Sequence, residues 1–225
     1  MRNHPRFLIA AGPTHEPIDR VRYIGNRSSG RLGIALAEAA LTRQLPTTLL
    51  LGPVESDRVP EYSGLNLVRF RTSADLEGLL RAHWPDHDLL LMAAAVADYR
   101  PRTTTSAQKI RRGEAPLTLT LDPVPDLLAA CAEASRPDQV LIGFSLEPKQ
   151  DLLANARSKL LRKRIDAIVA NPLETMESES ITALLVLAGG VEQHPGDTVA
   201  PLPKRDFAEW LIDRSLALWH SKRRP

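Results

Sequence analysis

Aromatic residues make up only 4% of this 225-residue chain, it has one cysteine, and no apolar run is long enough to span a bilayer. With so few rings, any core must be built from Leu, Ile, Val and Ala, which the 43% apolar content can supply. The single Cys131 excludes an internal disulfide framework and suits a reducing cytoplasm. It lies in an Ala-rich, helix-like run, Leu127 to Ala134, and reads as packing rather than as a nucleophile. A net charge of +2 is too near neutral to call for nucleic acid. The basic Ser221-Lys222-Arg223-Arg224-Pro225 reads as a solvated tail. The first residues, Met1-Arg2-Asn3-His4-Pro5, lack the apolar stretch of a signal peptide. Neither a membrane nor a nucleic-acid partner is therefore expected, and no internal repeat is visible.

What is present is an alternation of strand-like and helix-like runs. Phe7–Ala11 predicts a first strand, and Leu32, Ala35, Leu36, Ala39 and Ala40 give a helix over Leu32–Gln44. Thr47–Leu51, Leu67–Phe70 and Asp88–Ala93 predict further strands, with a helix before the last, capped at Ser73 and running through His83. Gln139–Phe144 and Asp166–Asn171 follow as strands on either side of a helix over Asp151–Lys163. Leu117–Leu121 alternates with period two, Ile181–Ala188 reads as a clear strand, and Lys204-Arg205-Asp206 opens a final amphipathic helix. This pattern implies one α/β unit over residues 1–225, with a Rossmann-like, mostly parallel sheet flanked by helices. Ligands of such sheets sit at the carboxyl ends of the strands. Gly12, the run Ala93 to Asp98, and Ala170-Asn171 then share one rim.

Candidate chemistry gathers on that rim. Asn26, Ser28, Ser29 and Gly30 precede a helix, where free N–H groups and the helix dipole suit a phosphate or an oxyanion; an ordinary capped helix has the same composition. In Ala93-Ala94-Ala95-Val96-Ala97-Asp98, small residues such as Ala95 let a ligand lie against the backbone. Asp98 follows at the strand end, as a partner for a ribose hydroxyl or a metal-bound water, or as a local turn former. Residues 100–116 form a long polar loop carrying Lys109-Ile110-Arg111-Arg112, either a functional flap or a solvated charge run. Phe144 suits packing on a base or in the core. Lys159 and Lys163 are four apart on one helical face and suit a triphosphate or solvent.

The segments Ala11-Gly12-Pro13-Thr14, Glu16-Pro17-Ile18-Asp19, Val21-Arg22 and Asn26-x-Ser28-Ser29-Gly30-x-x-Gly33 occur together and in this order. The series resembles the phosphopantothenate–cysteine ligase family, and Ala94-Ala95-Val96-Ala97-Asp98-Tyr99 and Lys109-Ile110-Arg111-Arg112 extend the likeness. The resemblance implies an enzyme of coenzyme A biosynthesis that joins 4′-phosphopantothenate and L-cysteine through an acyl-nucleotide. It implies CTP more than ATP as co-substrate, and Mg²⁺ held by phosphates with Asp98 as a protein contact. It gives catalytic roles to Asn26 and Lys109. It gives nucleotide-binding roles to Gly12, Ser28, Ser29, Gly30, Ala95, Asp98, Phe144, Lys159, Lys163 and Asn171. A cytoplasmic homodimer is implied, paired through a small β extension built from Leu117–Leu121 and Ile181–Ala188, as is a stand-alone ligase without the fused decarboxylase domain of many bacterial relatives. The likeness weakens after residue 172. Glu174–Ser180 lacks an Asn of the family pattern, and Val124 stands where the family usually has Asn. Two other readings stay open: an NAD(P)-dependent Rossmann oxidoreductase, although Gly12-Pro13-Thr14 is not Gly-x-Gly-x-x-Gly, and a non-catalytic nucleotide-binding protein.

Overall fold

Every residue of Phe7–Ala11 (β1) is buried, so this strand is covered on both faces. The structure, a computed structural model, describes residues 4–55, 63–102, 109–176, 178–193 and 201–223. After β1 come β2 (His15–Pro17), β3 (Tyr23–Gly25), α1 (Arg31–Thr42), β4 (Thr47–Leu51), β5 (Leu65–Arg69), α2 (Ser73–His83) and β6 (Leu89–Met92). Then follow β7 (Tyr99–Pro101), β8 (Leu121–Pro123), α3 (Leu127–Glu133), β9 (Val140–Glu147), α4 (Leu152–Lys163) and β10 (Ala167–Pro172). The chain continues through β11 (Ser180–Ile181), β12 (Leu184–Leu187), β13 (Gly190–Gln193), β14 (Leu202–Pro203) and α5 (Lys204–Lys222).

Eight strands form the main sheet in the order β13-β12-β10-β9-β6-β1-β4-β5. The six from β10 to β5 are parallel, and β12 and β13 add an antiparallel edge. This is the Rossmann-like α/β architecture expected. Alternate residues of the buried strands feed two cores. Phe7, Ile9 and Ala11 face the layer of α1 and α5, with Leu36, Phe207 and Leu211. Leu8 and Ala10 face the layer of α2, α3 and α4, with Leu76, Leu128 and Leu160. At about 1.5–3 kcal/mol for each fully buried large aliphatic side chain, these two faces dominate the stability of the sheet.

Glycine decides how closely one helix approaches. A Cβ at Gly33 would lie 2.1 Å from the Cβ of Ala11, so α1 rests on β1 only because neither residue is larger. The start of α1 is thereby fixed against the carboxyl end of β1. Gly30 stands at the cap position just before α1 with a φ of 69° that favours glycine, and no side chain caps the helix, so the neighbouring serines do not act as caps there.

Several local expectations need correction. Ser73 is the first helical residue of α2, not its cap; Thr72 caps it, in a capping box with Asp75. Leu117–Thr120 form no strand; only Leu121 joins one, β8, which pairs with β7. The expected strand over Ile181–Ala188 is broken at Thr182 and Ala183. Its first part pairs with β14, and its second lengthens the main sheet beside β10. The two runs therefore do not pair with each other as a projecting extension. Two small hairpin sheets, β2–β3 and β7–β8, stand apart from the main sheet instead.

Candidate functional site

From β1 the sheet grows outward through β4 and β5, and the chain then returns to build β6, β9 and β10 on the other side. The order reverses between β1 and β6, and a crevice opens where a reversal of this kind leaves the strand ends. Here the two strand ends are stitched. The Ala95 N–H donates to the Gly12 carbonyl at 2.9 Å and the Thr14 N–H to the Ala95 carbonyl at 3.2 Å, while Thr14 Oγ1 accepts the Ala97 N–H at 3.0 Å. Asn26 adds a fourth bond: its Nδ2 donates to the Val96 carbonyl at 2.9 Å. That bond uses one of its two amide hydrogens and leaves the other for a ligand.

Three cavities surround this seam. One, of about 550 Å³, is lined by Asn26 to Gly33, Ala93 to Val96, Phe144, Asn171 and Lys204. It brings together six of the expected binding residues, Ser28, Ser29, Gly30, Ala95, Phe144 and Asn171, with Asn26. A second, of about 490 Å³, is lined by Asp98, Val124 to Leu128, Phe144, Lys159 and Lys163. Phe144, half-buried, separates these two while also packing on the core. A third, of about 710 Å³, lies on the other side of Asn26 and Ser28, against His15, Tyr23 and Pro53. Asn26 thus faces two cavities at once. Gly12 lines none of the three; it supports the seam through its carbonyl and packs on Gly52.

The two lysines of α4 share one face, as their spacing requires, but each holds a carboxylate. Lys159 Nζ lies 2.5 Å from Glu147 Oε1 and 3.0 Å from Ser145 Oγ. Lys163 Nζ lies 2.8 Å from Asp126, the cap of α3. Burial would raise the pKa of both carboxyls, but the ammonium partners and further hydrogen bonds hold them below the usual range. Lys159, Arg162 and Lys163 line this cavity with Asp98 and Asp126, and an anion entering it would compete with Glu147 and Asp126 for the two ammonium groups.

Asp98 is exposed at this cavity. Among the described residues no group of three or more His, Cys, Asp or Glu is placed to hold a metal ion. A single carboxylate fits an ion carried mainly by phosphate oxygens, not a cage built by the protein. Lys109 is exposed and lines none of the three cavities. Residues 103–108 of the expected flap lie outside the described residues.

Three side chains were not singled out by the sequence reading, and two of them, Lys204 and His15, line the cavities. Lys204, the first residue of α5, reaches the 550 Å³ cavity beside Arg31. Burial and then the charge of Arg31 lower its pKa. His15 stacks on Tyr23 with ring centroids 3.7 Å apart at the 710 Å³ cavity, and burial followed by the nearby Arg71 lowers its pKa. Asp19 is 3% exposed. Burial would raise its carboxyl, but the N–H groups of Val21, Arg22 and Ile110 and the Arg22 charge bring it down to about 2. The basic start of α5 and the Asp19–Arg22 spacing were visible signals. For His15 no local signal existed, because β2 and β3 bring it to the cavity.

The fold is a Rossmann-like α/β domain, and the crevice at the sheet's switch point is its candidate site. The chain belongs to the family described as DNA/pantothenate metabolism flavoprotein, C-terminal domain, which matches residues 3–218; the resemblance to phosphopantothenate–cysteine ligases read from residues 11–33 agrees with it. A cysteine/cysteine sulfinic acid decarboxylase of an unidentified prokaryote is 43% identical over 172 residues, 76% of this chain and 47% of that protein. The coenzyme A biosynthesis bifunctional protein CoaBC of Vibrio cholerae is 40% identical over 168 residues, 74% of this chain and 41% of that protein. The chain thus spans about half the length of the curated relatives it matches. Among solved structures, the C-terminal domain of a CoaBC protein superposes with a TM-score of 0.79 at 27% identity, covering 98% of both chains. No helix among the described residues is long and apolar enough to cross a membrane.

Proposed function

We propose that this chain joins 4′-phosphopantothenate to L-cysteine at the expense of a nucleoside triphosphate, with CTP favoured over ATP. A carboxylate does not react with an amine until one oxygen has become a leaving group. Attack of the carboxylate on the α-phosphate forms an acyl-nucleotide and releases pyrophosphate; the cysteine amine then displaces the nucleotide and an amide results. Such steps need positioning and charge stabilisation more than acid or base power.

Asn26 supports this reading above all: one amide hydrogen is fixed on Val96 and the side chain faces two cavities. An amide held in this way offers its second hydrogen to the acyl oxygen, with one reactant on either side. The nucleotide then occupies the cavities around Phe144, its phosphates meeting Lys159, Lys163 and the backbone at Ser28 to Gly30. Lys109 supplies further charge from the loop. Asp98 would be the protein's contact, direct or through water, to a magnesium ion held mainly by the phosphates, which would offset their charge. Two copies of the chain pair through exposed apolar residues on β7 and in the loop just before β8, where Tyr99, Leu117 and Leu119 are uncovered.

Incubation with phosphopantothenate, cysteine and each nucleoside triphosphate tests the proposal. Pyrophosphate release that requires phosphopantothenate, fastest with CTP, is the expected result. Absence of release with any triphosphate would refute it.

A further inference from the structure

We propose that Asp19 is a positioning residue that sets Lys109 in the geometry the reaction needs. The inference rests on the function proposed above, in which Lys109 meets phosphate charge.

The two oxygens of this buried carboxylate serve different segments. Oδ1 accepts the N–H groups of Val21 and Arg22, each at 2.8 Å, and so closes the turn between β2 and β3. That turn delivers β3 directly into Asn26. Oδ2 accepts the Ile110 N–H at 3.0 Å and the Arg22 guanidinium at 2.5 Å. Arg22 Nη1 in turn donates to the Ile110 carbonyl at 3.2 Å. Both backbone polar groups of Ile110 are therefore held by a pair of residues some 90 positions earlier in the chain, and Lys109 is its immediate neighbour.

An exposed lysine on a flexible stem cannot be aimed by packing. What the protein can fix is the backbone that carries it. A carboxylate is the right group for this, since it accepts on every lone pair and donates nothing. Asparagine has the same shape but one face of it donates. Whichever way the amide is turned, Asp19→Asn sets N–H against N–H on one of the two segments. The ordinary stability of a turn does not require the Ile110 bond; the position of Lys109 does.

The test is a double-mutant cycle of Asp19→Asn and Lys109→Gln, read as single-turnover pyrophosphate release with cysteine omitted. Each single change should slow release about tenfold to a hundredfold, the scale of a misplacement near 1 Å. If Asp19 acts through Lys109, the double variant should be no more than about twofold slower than Lys109→Gln alone. Losses that multiply would overturn the proposal, as would an Asp19→Asn variant with the wild-type rate. Asp19→Ser keeps a short acceptor for the turn N–H groups of Val21 and Arg22 but lacks the second oxygen that accepts Ile110, and in the same cycle it decides the matter should Asp19→Asn fail to fold. Wild-type protein that releases no pyrophosphate would defeat the proposed function itself. Wild-type activity with independent effects would defeat only the role of Asp19.

Discussion

Replacing Gly33 by alanine is the sharpest way to ask whether the seat of α1 matters to function as well as to folding. The new methyl would stand 2.1 Å from Ala11 Cβ and 3.4 Å from Ala11 Cα. Carbon atoms settle at about 3.5–4.0 Å, so helix and strand must separate by roughly 1.5 Å. β1 cannot yield, since it is central in the sheet and fully buried. The helix must therefore lift, carrying Ser28 to Gly30 with it. Overpacking of this size costs about 3 kcal/mol, while alanine in place of glycine within a helix returns about 1 kcal/mol. A net loss near 2 kcal/mol lowers the melting temperature of a chain this long by about 4–8 °C. Activity should suffer more, because a displacement above 1 Å at a reacting centre costs about a hundredfold. Thermal denaturation beside pyrophosphate release at 25 °C, where the variant is still folded, separates the two. A variant that melts earlier yet turns over at the wild-type rate would show that the helix start does not position reactants.

Other consequences are open to direct measurement. Asn26→Asp places a carboxylate against the Val96 carbonyl and removes the donor; nucleotide binding should persist while turnover falls about a hundredfold, near 3 kcal/mol, and wild-type turnover would remove Asn26 from the site. His87 is buried, its ring bonded to the His83 carbonyl at 2.6 Å and Thr48 Oγ1 at 2.9 Å, and burial foremost lowers its pKa. The unfolded chain then binds the proton more readily, so stability is full above the ordinary histidine value and falls as pH drops below it. Urea titrations between pH 7.5 and 5 should show this slope, with only the part due to His15 left in His87→Gln; equal slopes in both proteins would count against the assignment. For the proposed dimer, sedimentation equilibrium should show association that weakens in a Leu117→Lys, Leu119→Lys double variant, whereas a monomer mass throughout the concentration series would exclude it.

The strands of the main sheet could be read where burial is complete on both faces. β1 and β6 are near-unbroken apolar runs, and β4 a β-branched and aliphatic one, because helices cover them above and below, and such runs carry their own signal. The hairpin β2–β3 has none of that character. His15, Glu16 and Pro17 look like a loop, and Glu16 is buried only because it accepts the Ser73 N–H at 2.7 Å from across the fold. Alternation at Leu117–Leu121 suggested a strand, but only Leu121 finds a partner strand within the chain. At the site, the rim residues could be named because strand ends and glycines mark it locally. That Lys159 and Lys163 face one cavity followed from a spacing of four; their carboxylate partners come from β9 and α3, which no local pattern connects to α4. Lys204 likewise reaches the cavity only because α5 crosses back over the sheet.

The course of α5 has a consequence for how the domain bears load. Nineteen residues make it about 28 Å long, enough to run from one rim of the sheet to the other. Its first residue, Lys204, stands in the cavity at the carboxyl ends of the strands. Its last, Lys222, grips the opposite rim, binding Asp166 at 2.6 Å just before β10 and the Gln139 carbonyl at 2.7 Å just before β9. The helix behaves as a rigid strut pinned at both ends. One rigid element thereby ties the rim where β9 and β10 begin to the rim where the candidate site lies.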